Sequence, residues 1–170
     1  MSKKQVLPYV HKKNSKKSQV RQMFNSISCR YDFINRIISG GLDIKWRKNL
    51  VRVLKPKNPK KILDVATGTG DLAIALRESM ASEIIGIDIS ERMLEIGKKK
   101  VEKNQLQKNI KMEIGDAESI NYPANYFDAV TVSFGVRNFE NLDKGLLEIY
   151  RVLKPGCELV ILETSIPQSF

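Results

Sequence analysis

The chain has 170 residues, 42% hydrophobic and 28% charged, enough for one domain with a real core and ordinary for a globular protein. Its net charge of +10 favours an anionic partner, either nucleic acid or the headgroups of an anionic membrane. Two distant cysteines, Cys29 and Cys157, form no metal-ligand pair, no apolar run reaches membrane-spanning length, and the single histidine, His11, leaves proton transfer to a carboxylate, a tyrosine or an ordered water. A reducing cytoplasm is the simplest setting for two free thiols.

Residues 1–18 carry lysine and polar groups without a helical stripe, and Lys3, Lys4, Lys12, Lys13, Lys16 and Lys17 would repel one another in a compact element. The reading is a flexible basic tail that docks on the body near Val6–Val10. It lacks the apolar core of a secretory signal, and it uses lysine where an organelle-import segment uses arginine.

From Gln19 to Leu54 the pattern turns helical. Val20, Phe24, Ile27 and Tyr31 recur as one helix face, and Ile34, Ile37 and Ile38 predict a second short helix broken by Ser39-Gly40-Gly41. Asp43 is placed to cap a third helix carrying Trp46, Leu50, Val53 and Leu54. This block, 19–58, precedes the sheet and is expected to lie over the strand ends as a lid. Its isoleucines and leucines are read as packing, whereas Tyr31, Asp32, Asn35 and Trp46 are candidates to face a ligand.

The remainder, 59–170, alternates strand and helix. Strands are predicted over Lys61–Val65, Ile84–Ile89, Ile110–Ile114, Phe127–Ser133 and Leu159–Leu162. Helices are predicted over Asp71–Met80, from Ser90 through Val101, and from Leu142 to Leu153, the last closed by Lys154-Pro155-Gly156. That order predicts an α/β, Rossmann-like, doubly wound and mostly parallel sheet with helices on both faces. No internal repeat is visible.

The chemistry gathers after the first strand. Lys61 to Ala73 reads as a strand, a glycine turn at Gly68-Thr69-Gly70 and a helix opening at Asp71, the arrangement of a nucleotide site. Asp88 ends the next strand about 20 residues on, at the spacing of an acid that grips ribose hydroxyls. Asp116 ends the third strand beside the same crevice, placed to accept from an adenine amino group. Ser133, Phe134 and Arg137 follow the fourth and put a hydroxyl, a ring and a guanidinium at the mouth. Gly68, Gly70, Ala73 and Asp88 equally fit an NAD-linked oxidoreductase, although Asp64 and Asp71 bracket the turn and a second nucleotide-binding half is missing. A nucleic-acid-binding methyltransferase is the other rival, suggested by charge, but Ser133-Phe134-Gly135 stands where base-amino methyltransferases carry Asn/Asp-Pro-Pro-Tyr/Phe.

Taken together, these segments resemble class I S-adenosylmethionine-dependent methyltransferases, and more narrowly the quinone-biosynthesis C-methyltransferases that act on demethylmenaquinol and 2-polyprenyl-6-methoxybenzoquinol. The resemblance runs from about Val20 to Pro167. Its most specific parts are Tyr31-Asp32 with Asn35 and the segment Ser133 to Asn138. It implies S-adenosyl-L-methionine as cofactor, with Thr69 and the turn Gly68 to Gly70 holding the methionine part. It further implies Asp88 and Ile89 at the ribose, Asp116 and Ala117 flanking the adenine, and Ser133 lining the site. No metal is implied.

The acceptor carbon becomes nucleophilic as a ring hydroxyl loses its proton, so Arg137 is expected to stabilise the oxyanion or orient a water as base, with Tyr31 or Asp32 placing the ring. The partner implied is a polyprenylated quinol, with demethylmenaquinol preferred, in a cytoplasmic protein that meets an anionic membrane peripherally through its basic tail and lid. Homo-oligomerisation is left open, and nucleic acid is not expected. Two departures are small: Cys157 stands where the family has a second glycine, and Thr67 precedes the glycine turn. The family also continues into a sixth and an antiparallel seventh strand, so the last strands are expected to be absent here.

Overall fold

The structure, a computed structural model, describes residues 8–9 and 14–164. His11, most of the expected tail and residues 165–170 lie outside the described residues. The order of elements is α1 (Lys16–Ile38), α2 (Leu42–Leu54), β1 (Lys61–Val65), α3 (Asp71–Ala75), β2 (Glu83–Asp88), α4 (Glu91–Lys103), β3 (Ile110–Ile114), β4 (Phe127–Ser133), α5 (Leu142–Val152) and β5 (Leu153–Leu162).

The five strands form one sheet in the order β3-β2-β1-β4-β5, and every neighbouring pair is parallel. Strand alternation divides the core in two. Ile62, Ile84, Ile110 and Ala129 face α2, α3 and α4 through Leu50, Leu54, Leu72 and Leu94, joined by Leu76 just after α3. Leu63, Val65, Ile85, Val130 and Val132 face the other way, against Ile149 and Val152 of α5 and against Ile120 and Phe127. With helices on both faces, the strands read as near-continuous apolar runs. All the βα turns then fall at one edge of the sheet, and α1 crosses that edge.

Several expectations about element boundaries are corrected. Helix α1 is one helix of 23 residues, not two, because nothing between Tyr31 and Ile34 breaks it. It stops at Gly40 and Gly41, both at positive φ, whose N–H groups donate to Ile37 and Arg36 carbonyls. It also begins at Lys16, inside the expected tail, where the Ser15 side chain accepts from the Ser18 N–H. Lys16 and Lys17 do not repel each other out of a compact element, since each finds oxygen partners on the body. Asp43 is not a cap: Gly41 holds that position and Asp43 lies buried in the first turn of α2.

The predicted helix 71–80 gives way to a 3-10 turn after Ala75. Strand β5 starts six residues early. Its pairing runs from Phe127↔Leu153 to Ala129↔Glu158, so Lys154-Pro155-Gly156 is a looped-out irregularity within the strand rather than the stop before it. Of the segment expected to dock, Val6, Leu7 and Val10 lie outside the described residues; Pro8 and Tyr9 are half-buried, and the Tyr9 N–H donates to Gln19 Oε1.

Candidate functional site

The site is built where β1 and β2 end. Ala66 leaves β1 at φ +55°, a conformation that costs an L-residue strain and that active sites retain. The chain then turns through Gly68 and Gly70, the latter in the left-handed region as N-cap of α3. A side chain at Gly97 would meet the Thr69 carbonyl at 3.2 Å, so α4 lies hard against this turn. Asp88 ties the turn to β2: its Oδ2 accepts from the Gly68 N–H and its Oδ1 from the Ser90 N–H, each at 2.8 Å. Burial pushes the Asp88 carboxyl above its usual range, and those backbone bonds oppose the rise.

Two adjoining cavities open there. The larger, about 660 Å³, is lined on its floor by Gly68, Asp88, Ile89, Ala117 and Ser133 and roofed by Lys17, Val20, Phe24 and Tyr31 of α1. The smaller, about 370 Å³, is polar and lies beside Asp64, Thr67, Thr69, Asp71 and Arg47. Tyr31, Ala66, Gly68, Ser133 and Phe134 line both. Aromatic rings frame the opening, with Phe24 edge-on to Tyr31 at 5.8 Å and Trp46 tilted over Phe134 at 6.0 Å.

Seven of the eight residues predicted for a cofactor line these cavities. Gly70 does not; it serves as the helix cap. Asp116 is in place, but it is not a bare acceptor: Oδ2 takes Lys17 Nζ at 2.6 Å and Oδ1 takes the Glu118 N–H at 2.9 Å. Burial pulls the Lys17 amine down, and the hydrogen bonds and charges of Asp116 and Glu118 more than restore it. Ser133 Oγ is buried with no partner among the described residues.

The three residues proposed for catalysis separate. Tyr31 lines both cavities, whereas Asp32 and Arg137 line neither. Asp32 accepts from Thr69 Oγ1 at 2.6 Å and pairs with Lys100 Nζ at 2.5 Å, so its carboxylate is committed to joining α1 to the glycine turn. The Arg137 side chain is 52% exposed, pairs with Glu163 and stands 6.0 Å over the Phe134 ring.

Sequence reasoning missed Lys17, Arg47 and Lys100. Arg47 Nη1 lies 2.7 Å from Asp43 and 3.4 Å from Asp71, and Lys100 bridges Asp71 at 2.6 Å as well as Asp32. Ser15 as a cap would have moved Lys17 into the helix. Nothing in the sequence brings Lys100 to Asp32.

The donor set fits an adenosyl group carrying an amino-acid arm. A carboxylate fixed by two backbone N–H groups faces the larger cavity, a second acid, Asp116, follows β3, and the orphaned Ser133 hydroxyl joins a polar annex of two acids and a guanidinium.

Comparison with known proteins agrees. A model of the ubiE/COQ5 methyltransferase family matches residues 12–170. Demethylmenaquinone methyltransferase of Bacteroides fragilis is 50% identical over 156 residues, covering 91% of this chain and 64% of that protein. Ubiquinone/menaquinone biosynthesis C-methyltransferase UbiE of Geobacter sulfurreducens is 43% identical over 162 residues, covering 94% and 63%. The chain thus spans just under two thirds of the length of these relatives. A SAM-dependent methyltransferase from Aquifex aeolicus superposes with a TM-score of 0.58 at 29% identity, over 61% of this chain and 56% of that one.

Proposed function

Because the chain belongs to the ubiE/COQ5 methyltransferase family, we propose that it carries the catalytic machinery of an S-adenosylmethionine-dependent C-methyltransferase acting on the ring of demethylmenaquinol, with the ubiquinone precursor as alternative acceptor. The observation that carries this reading is Asp88. It is a buried carboxylate at the end of β2, held by Gly68 and Ser90 N–H groups, with the orphaned Ser133 hydroxyl on the same cavity. The cofactor, when bound, supplies an electrophilic methyl on a sulfonium. The chain's residues do the rest.

Asp88 has lone pairs left for two ribose hydroxyls, and backbone bonds already fix its orientation. Asp116 meets an adenine amino group on an oxygen that Lys17 now holds. Thr69, Ser133 and the polar annex take the amino-acid arm. Tyr31 and Phe24 from α1, with Phe134 and Trp46, offer apolar faces between which a flat quinol ring can lie. A phenolate there needs a cation. Arg137 is our candidate, and it must turn from Glu163 toward the cleft to serve. Asp32 is a positioning residue that acts through Thr69. The acceptor's polyprenyl chain calls for a cytoplasmic protein in peripheral contact with an anionic membrane. The nicotinamide reading is set aside, since the family supplies a different cofactor for the same glycines.

Calorimetric titration with S-adenosylmethionine and S-adenosylhomocysteine tests the reading, wild type against Asp88→Ala. Loss of two charge-assisted hydrogen bonds is expected to weaken binding on the order of 100-fold. Equal binding by both proteins would overturn the assignment of the ribose site.

A further inference from the structure

The corner where α1 meets α2 exposes more large apolar surface than any other part of the described chain. Phe33 is 69% exposed and Ile38 80%, and Ile34, Ile37, Leu42 and Ile44 lie between 41% and 62%. The expectation that the lid's isoleucines serve only as packing therefore fails at this end. Phe33 with Ile37, and Ile34 with Ile38, are one helical turn apart and share a face. The turn at Gly40-Gly41 then brings in Leu42 and Ile44 at the start of α2. Six such side chains within twelve residues mark an interaction surface rather than scattered exposure.

The charges around it have one sign. Between Gln19 and Lys60 the sequence has only two acids, Asp32 and Asp43. Asp32 is committed to Thr69 and Lys100, and Asp43 is buried against Arg47, Arg36 and Ser39. Arg30, Lys45 and Lys48 are exposed beside the apolar side chains, and neither acid of this segment is left to answer them. We infer that this corner dips into the interfacial layer of a bilayer bearing anionic headgroups, apolar side chains among the acyl chains and the cations at phosphate level. A two-fold dimer through the same face would set these cations against their own copies. No helix among the described residues is long and apolar enough to cross a membrane, so the corner lies in the interface. Tyr31, one turn back along α1, lines both cavities, so the corner adjoins the mouth at which a membrane-held quinol would enter.

The inference rests on the reading of a polyprenylated acceptor, but its test does not need that acceptor. The whole chain is floated with phosphatidylcholine vesicles with and without phosphatidylglycerol. Trp46, the single tryptophan, reports immersion through its emission and through quenching by bromine-labelled acyl chains. Binding is expected only with the anionic lipid. Phe33→Ser and Ile38→Ser are each expected to reduce it on the order of tenfold, and Lys45→Gln with Lys48→Gln is expected to reduce it comparably. Leu147→Ser, at an exposed leucine on α5, should leave it unchanged. Retained S-adenosylmethionine binding shows that each variant is folded.

Vesicle binding that ignores Phe33→Ser and Ile38→Ser overturns the inference. So does a sedimenting dimer that those changes dissolve, with no affinity for vesicles. Normal cofactor binding with no flotation removes the membrane surface and leaves the methyltransferase reading standing; flotation without cofactor binding does the reverse.

Discussion

Asp64 lies beside the smaller cavity and is almost wholly enclosed. Burial pushes its carboxyl up to about 6, against hydrogen bonds from Thr67 Oγ1 at 2.6 Å and Thr131 Oγ1 at 2.7 Å and the charge of Arg47. An unfolded aspartate titrates near 4. Between pH values of about 4 and 6 the unfolded chain has released this proton while the native chain keeps it, so stability falls as pH rises through that window. Above it the native carboxylate is ionised and the full cost, on the order of 3 kcal/mol, is present. Glu148, held down to about 2 chiefly by its hydrogen bonds from Arg151, behaves oppositely and loses its contribution only as pH falls below about 4. The two windows are therefore separable. Urea unfolding of wild type and Asp64→Asn across pH 4–7 should show the difference between them shifting in favour of the variant as pH rises, then levelling. A constant difference would mean that Asp64 does not titrate in that range. Sequence alone marked Asp64 as a bracket of the glycine turn. Its pairing with Thr131 on a neighbouring strand was illegible, because that contact exists only once β1 and β4 align.

At the scale of elements, α1 carries what the sequence half-revealed. Its apolar face through Val20, Phe24 and Tyr31 was legible as a helix over the strand ends. The polar anchors were not, since each needs a partner from a distant turn. Along a length of about 34 Å the helix touches the loops after four strands. Lys16 Nζ donates to the Arg137 and Phe139 carbonyls after β4, and Lys17 pairs with Asp116 and Glu118 after β3. Asn25 accepts from Ser90 Oγ after β2, and Asp32 accepts from Thr69 after β1. Burial of apolar side chains is thin by comparison: beyond Val20, no residue of α1 in the apolar class is fully buried. Ion pairs at half-exposed sites weaken with salt, and apolar packing does not. Amide hydrogen exchange in α1 should therefore quicken from low salt to about 0.5 M, on the order of several-fold, while β1 and β4 hold their rates. Asp32→Asn or Lys17→Met should quicken it at low salt and blunt the salt response. If α1 exchanges at the rate of β1 and ignores salt, packing rather than these ion pairs holds the helix.

The whole molecule was the most legible scale, because βα alternation and right-handed crossovers leave few ways to order five parallel strands. The start of β5 escaped because Lys154-Pro155-Gly156 carries every signal of a chain stop, yet the strand pairs on both sides of it. The fold leaves one consequence that binding alone can test. The proposed cofactor site touches α1, the glycine turn, β2, the loop after β3 and the end of β4, so a ligand there binds the folded chain and has nothing to hold in the unfolded one. At a hundred times its dissociation constant it adds about 2.7 kcal/mol, which for a chain of 170 residues raises the melting temperature by about 5–10 °C. S-adenosylhomocysteine should give this shift in wild type, a smaller one in Asp88→Ala at equal concentration, and NAD should give none. A shift from NAD with none from S-adenosylhomocysteine would return the glycine turn to the dinucleotide reading that its spacing also permits. A shift from S-adenosylhomocysteine that Asp88→Ala preserves would keep the cofactor and move its ribose elsewhere, with Asp88 left to brace Gly68 against β2.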